Sequence, residues 1–161
     1  GGEIFKLSIE NLISRHVSPG WEKTHFLSFS EEEQIALHYS SNKEECIEYY
    51  DNDDNWDFAM IIFNRENIKT IQEIAIGIYF CQYPPALRSN LPLFKIILID
   101  VVKHLKYRSS ILERDFSNAI SNATRDKEWL ILPATPFRDN PSEFTSKLDE
   151  GCLELTKMKR I

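Results

Sequence analysis

The stretch that most constrains this chain is Thr24-His25-Phe26-Leu27-Ser28-Phe29-Ser30, followed at once by Glu31-Glu32-Glu33-Gln34-Ile35-Ala36-Leu37-His38-Tyr39. The first half is a short apolar run carrying two serines, and it reads as a strand. Side chains alternate along a strand, so Leu27 and Phe29 share one face while Phe26, Ser28 and Ser30 share the other. One face can then be core while the second turns hydroxyls into a cleft. Ser30 reads as an N-cap, and Glu33 three residues on completes a capping box, so a helix is expected from Glu31 to between Ser40 and Asn42. Such a junction is also an ordinary structural device with no function of its own.

A second stretch, Arg125-Asp126-Lys127-Glu128-Trp129-Leu130-Ile131-Leu132-Pro133, sets two carboxylates two residues apart at the opening of an apolar run. Read as the start of a strand, it puts Asp126 and Glu128 on one face.

The rest of the chain supplies a mixed set of elements. Ile4 to Ile13 carries a helical stripe, Ser14 to Ser18 reads as a short strand or turn, and Pro19-Gly20 breaks the chain. Glu44 to Tyr50 can continue the first helix. Asp51-Asn52-Asp53-Asp54-Asn55 is too rich in turn formers for regular structure. Its alternating Asp51, Asp53 and Asn55 resemble calcium ligands, but Trp56 stands where the loop needs glycine, so no metal site is assigned. Trp56 to Phe63 reads as a buried strand, Glu73 to Cys81 as a second ended by Tyr83-Pro84-Pro85, and Leu93 to Val102 as a central one whose end can turn helical through Leu105. Ser110 to Ala123 reads as a helix, with Ser110 and Glu113 as its capping box. Trp129 to Leu132 is a strand, and Glu143 to Leu148 with Cys152 to Met158 reads as a closing hairpin. The order suggests a single α+β domain rather than regular βαβ units.

With 161 residues, 42% of them hydrophobic, the chain can bury a core of ordinary globular size. Its longest apolar run, Leu91 to Val102, is interrupted by Pro92, Lys95 and Asp100 and is too short to span a membrane. A formal net charge of −6 disfavours a general nucleic-acid binder, which needs clustered Lys and Arg. Lys103, Lys106, Arg108, Arg114 and Arg125 still leave room for a basic surface. Cys46, Cys81 and Cys152 are odd in number and widely spaced, which points to a reducing compartment rather than a disulfide framework. The Gly1-Gly2 start reads as the remnant of a cleaved tag or an artificial boundary, leaving room for more chain upstream.

Taken together, the two stretches resemble the core of the ADP-ribosyltransferase family, in which a Ser-Thr-Ser-like strand leads into a helix and a later strand opens with Gln/Glu-x-Glu. Here Ser28-Phe29-Ser30 with Ile35 to Tyr39 resembles the first element, and Asp126-Lys127-Glu128 the second; together they cover about a quarter of the chain. Phe29 replaces the central threonine and Asp126 the longer acidic or amide residue, which leaves the acceptor open. The resemblance implies split antiparallel sheets with flanking helices, and NAD as cosubstrate of a mono-ADP-ribosyl transfer to a macromolecular acceptor, in the manner of a toxin or defence effector. The reducing compartment is then the cytoplasm of its own cell or of a target cell.

It also implies roles. Breaking the nicotinamide–ribose bond develops positive charge on the ribose, which a fixed carboxylate stabilises. That residue maps onto Glu128, with Ser28 orienting it and Asp126 facing the acceptor. Arg15 and His16 map onto the first-strand residue that contacts the phosphates or the nicotinamide ribose, Ser30 belongs to the serine strand, and Tyr39 can stack on nicotinamide. Taken alone, Glu128 is equally a solvated strand residue, Arg15 a surface ion pair and Tyr39 a core aromatic. The contrasting function is a non-enzymatic interaction domain whose acidic loop around 51–57 docks a basic protein. Gly-x-Ser-x-Gly elbows, Gly-rich phosphate loops and His-Glu-x-x-His are absent from the sequence.

Overall fold

The computed structural model describes residues 12–13, 16–17, 25–41, 56–68, 70–82, 95–108, 116–132 and 152–159. Their elements are β1 (Leu27–Ser30), α1 (Glu33–Ser41), β2 (Phe58–Phe63), β3 (Ile71–Ala75), β4 (Ile78–Gln82), β5 (Lys95–Asp100), α2 (Val101–Arg108), α3 (Phe116–Asp126), β6 (Glu128–Leu132) and β7 (Leu153–Met158). This is a mixed α+β architecture with two antiparallel sheets, one of five strands in the order β1-β6-β5-β4-β3 and one formed by β2 and β7.

The strand at the centre explains the layers. β5 is isoleucine-rich, and its β-branched side chains suit a pleated surface covered on both sides. On one side Ile99 joins Phe26, Val101, Leu105, Ala123 and Leu130 in a core under α2 and α3. On the other, Ile96 and Leu98 meet Ile131, Cys152 and Leu153, with Phe29 and Phe63 packed against them. Burial of Ala119 and Ala123, four residues apart, presents the small face of α3 to that first core.

β5 passes into α2 without a loop because Asp100 caps the helix. Its carboxylate accepts the Lys103 backbone N–H at 3.1 Å, the relation of an N-cap to the third helical residue.

Several boundaries differ from the sequence expectation. The run from Glu73 to Cys81 is two strands, because Gly77 adopts φ +76° and closes a β3–β4 hairpin. A Cβ there would stand 2.8 Å from the His104 backbone nitrogen, so the close approach of hairpin and α2 requires glycine. Period-two alternation runs unbroken through the turn, which is why the sequence conceals it. α3 extends to Asp126, and β6 starts at Glu128. α1 begins at Glu33, two residues later than expected. His16 and Val17 are helical rather than strand or turn. The expected Trp56–Phe63 strand is present as β2, and β7 pairs with it along all six residues from Phe58↔Met158 to Phe63↔Leu153.

Arg15, the loop from Asp51 to Asn55, the segments 44–50, 83–85 and 143–148, and the Ser110–Glu113 capping box lie outside the described residues. No helix among the described residues is long and apolar enough to cross a membrane.

Candidate functional site

Antiparallel pairing of β1 with β6 sets Ser28 opposite Leu130 and Ser30 opposite Glu128. Ser28 and Glu128 are therefore diagonal neighbours on one face, within reach of each other. The Ser28 hydroxyl donates to Glu128 Oε1 at 2.7 Å. On its other side Ser28 Oγ lies 2.6 Å from His16 Nε2. His16 is itself seated edge-on against Phe26, with ring centroids 5.9 Å apart at 80°. A continuous chain thus runs from a helical residue near the start of the molecule, through β1, to a carboxyl on β6.

Glu128 is 9% exposed. Burial pushes its carboxyl up from 4.5 to about 7, and the Asp126 charge adds to the rise, while the Ser28 hydrogen bond and the Arg125 guanidinium hold it down. A carboxyl that titrates near neutrality in a cleft is a chemical feature, since surface glutamates do not do so.

Asp126 reaches this neighbourhood from a different element than expected. It is the last residue of α3, and Lys127, at φ 46°, turns the chain from helix into strand in a single step. Left-handed backbone at a lysine is uncommon and carries strain, which the flanking α3 and β6 hold in place. The turn keeps Asp126 beside Glu128 although the two do not alternate along one strand. Arg125 donates to Asp126 through Nε at 3.0 Å and Nη2 at 3.1 Å, a two-pronged pair. The Tyr39 hydroxyl donates to Asp126 Oδ2 at 3.1 Å. Burial and this hydrogen bond, with the Asp126 charge, raise the Tyr39 hydroxyl above its ordinary range, partly offset by Arg125.

Ser30 ties the two stretches together. Its hydroxyl donates to the Asp126 carbonyl at 2.7 Å and accepts the Glu32 N–H at 3.1 Å. The hydroxyl still satisfies a donor at the head of α1, but it does so one turn-residue ahead of the helix and anchors the α3–β6 junction as well.

A cleft of about 1400 Å³ opens around this group, with Ser28, Ser30, Tyr39, Arg65, Asp126 and Glu128 among its lining residues. It exceeds the roughly 300–1,000 Å³ of ordinary small-molecule sites. Trp129 forms part of its wall. Its ring stacks on Tyr79 with centroids 5.8 Å apart at 27°, its Nε1 donates to Glu31 Oε1 at 2.6 Å, and the Arg65 guanidinium lies 4.6 Å from its centroid. Arg65 and the pairing of Arg125 with Asp126 were not legible as site features. Arg65 follows a strand far from both motifs, and an adjacent Arg-Asp pair is common on exposed helix ends.

Of the residues singled out from sequence, the structure brings together His16, Ser28, Ser30, Tyr39, Asp126 and Glu128. No family model matches the chain, and neither a curated protein nor a solved structure does.

Proposed function

We propose that this protein is an NAD-dependent mono-ADP-ribosyltransferase that modifies a macromolecular acceptor, and that its two sheets follow the split-sheet plan of that family. The observation that carries the reading is the Ser28-to-Glu128 hydrogen bond at 2.7 Å on a carboxyl that is 9% exposed. A serine strand orienting a buried glutamate on a later strand is the pairing that the resemblance asks for. The hydroxyl and carboxyl groups that line the cleft beside Glu128 suit the hydroxyls of a ribose.

Cleavage of the nicotinamide–ribose bond in NAD develops positive charge on the ribose. Glu128, once ionised, supplies the opposing charge from a position already desolvated, where it acts with less screening than in water. Ser28 holds Oε1 in one orientation. Asp126, fixed by Arg125 and Tyr39, occupies the flank where an acceptor would enter, and Tyr39 acts here through its hydroxyl rather than through ring stacking. Arg15 would provide the phosphate contact. The toxin or effector setting, and a cytoplasmic place of action, belong to the same proposal.

The test is nicotinamide release from NAD by the purified protein beside Glu128→Gln. Loss of release by roughly 100- to 1,000-fold in the variant supports the reading. Because only the ionised carboxylate opposes the developing charge, release should rise with pH through about 7. Absence of release together with absence of NAD binding in calorimetry would overturn it.

A further inference from the structure

We propose that His16, Ser28 and Glu128 form a proton relay, in which the Ser28 hydroxyl carries a proton between the buried carboxyl and the partly exposed imidazole. The two links, 2.6 Å from His16 Nε2 to Ser28 Oγ and 2.7 Å from Ser28 Oγ to Glu128 Oε1, are each short enough for transfer along the hydrogen bond.

A serine hydroxyl has one proton and can accept another, so the chain has two arrangements with the same number of protons. In one, Glu128 is a neutral acid donating to Ser28, and Ser28 donates to a neutral imidazole at Nε2. In the other, Ser28 donates to a Glu128 carboxylate and Nε2–H of an imidazolium donates to Ser28. To pass between them, the Glu128 O–H bond breaks as Ser28 Oγ takes the proton, and the original Ser28 proton forms the N–H bond at His16. Serine ends as it began, glutamate has lost one proton and histidine has gained it, with no water or co-reactant required. Glu128 can therefore ionise without direct contact with solvent.

Asp126 and Arg125 of α3 act on Glu128 in opposite directions. A shallow hollow that Glu128 also lines carries Glu31, Asp100, Lys103, Lys106 and Lys127. Two of these lysines are held elsewhere, Lys103 by Glu73 at 3.1 Å and Lys127 by Glu32 at 3.2 Å. Phe26 provides the apolar wall of the imidazole. In the transferase reading, on which this catalytic role rests, Glu128 accepts the proton of the incoming nucleophile and His16 delivers it to solvent. The relay itself does not depend on that reading.

The decisive measurement is the imidazole titration of His16 by nuclear magnetic resonance in the intact protein, in Glu128→Gln, in Ser28→Ala and in Ser28→Thr. Loss of the carboxylate should lower the His16 midpoint, weakening its proton affinity roughly tenfold. Ser28→Ala should leave only the weaker coupling that the nearby Glu128 charge exerts through space, and Ser28→Thr should restore the full coupling, with the folded spectrum of each variant checked first. Infrared titration of the Glu128 carboxyl gives an independent reading: it should titrate higher in Ser28→Ala than in the intact protein. His16 titrating with one midpoint in all four proteins would overturn the relay. Coupled titration without nicotinamide release would leave the relay standing and remove the transferase; release that depends on Glu128 with uncoupled titration would do the reverse.

Discussion

The five-stranded sheet has two ends built on opposite terms. At the β1–β6 end a carboxyl is buried: Glu128, 9% exposed, accepts from the exposed Ser28 hydroxyl, and the half-buried Ser30 is tied to the α3–β6 junction. At the β3–β4 end, β3 is exposed along its length, with Ile71 at 39%, Ile74 at 55% and, in the turn, Ile76 at 38%. The β1–β6 end accepts a desolvation cost to hold a reactive group in one place, whereas the β3–β4 end leaves apolar surface in water. Covering a polar group costs stability and yields chemistry; leaving an apolar one uncovered yields neither. The asymmetry singles out the β1–β6 end as the one that holds a carboxyl perturbed by burial.

The hairpin end still carries one strict requirement, and breaking it should give the largest structural effect. Gly77→Val introduces a Cβ 2.8 Å from the His104 nitrogen and 3.0 Å from the Asp100 carbonyl oxygen, at φ +76°. Urea unfolding should report a loss of about 2–4 kcal/mol. At the β1–β6 end Glu128→Gln should do the opposite. The carboxyl titrates at about 7 when folded against 4.5 ordinarily, so between these values the folded protein holds a proton that the unfolded chain has released, and stability falls as pH rises. Glutamine removes that loss. The variant should equal the parent below 4.5 and exceed it above 7 by up to about 3 kcal/mol, read as thermal midpoints across a pH series.

Two smaller changes sharpen the contrast. Trp129→Leu removes the stack on Tyr79, the Arg65 contact and the hydrogen bond to Glu31, and should cost about 1–2 kcal/mol in the same unfolding assay. Ile74→Thr on exposed β3 should change stability by less than about 0.5 kcal/mol. Its effect should appear instead in light scattering, as reduced self-association at high concentration, because an exposed apolar edge strand invites pairing. A loss of stability as large as that of Gly77→Val would show that β3 is covered after all.

Much of the site was legible in the sequence, and the reason is local. Alternation along Leu27 to Ser30 assigned the serines and the apolar residues to opposite faces, and the acidic-apolar run from Glu128 identified a strand with a carboxyl at its mouth. The helical turn at the end of β5 was readable as well, and Asp100 caps the helix that begins there. Boundaries were the part that failed. Gly77 interrupts a run whose period never falters, and Arg125-Asp126 suits the end of α3 as well as the start of β6. A period of two cannot distinguish one strand from a hairpin when the turn itself holds an isoleucine.

By itself, the sequence determined which residues could be strand, helix or cap, because propensity, alternation and capping act over a few neighbours. The pairing of β1 with β6 joins residues a hundred positions apart, and no local rule reports it. Only the tertiary structure decided that Ser28 meets Glu128, that the carboxyl is buried, and that Asp126 is occupied by Arg125 and Tyr39. Burial and proximity across the sheet set the proton affinity of Glu128, and both are properties of the assembled layers rather than of any segment.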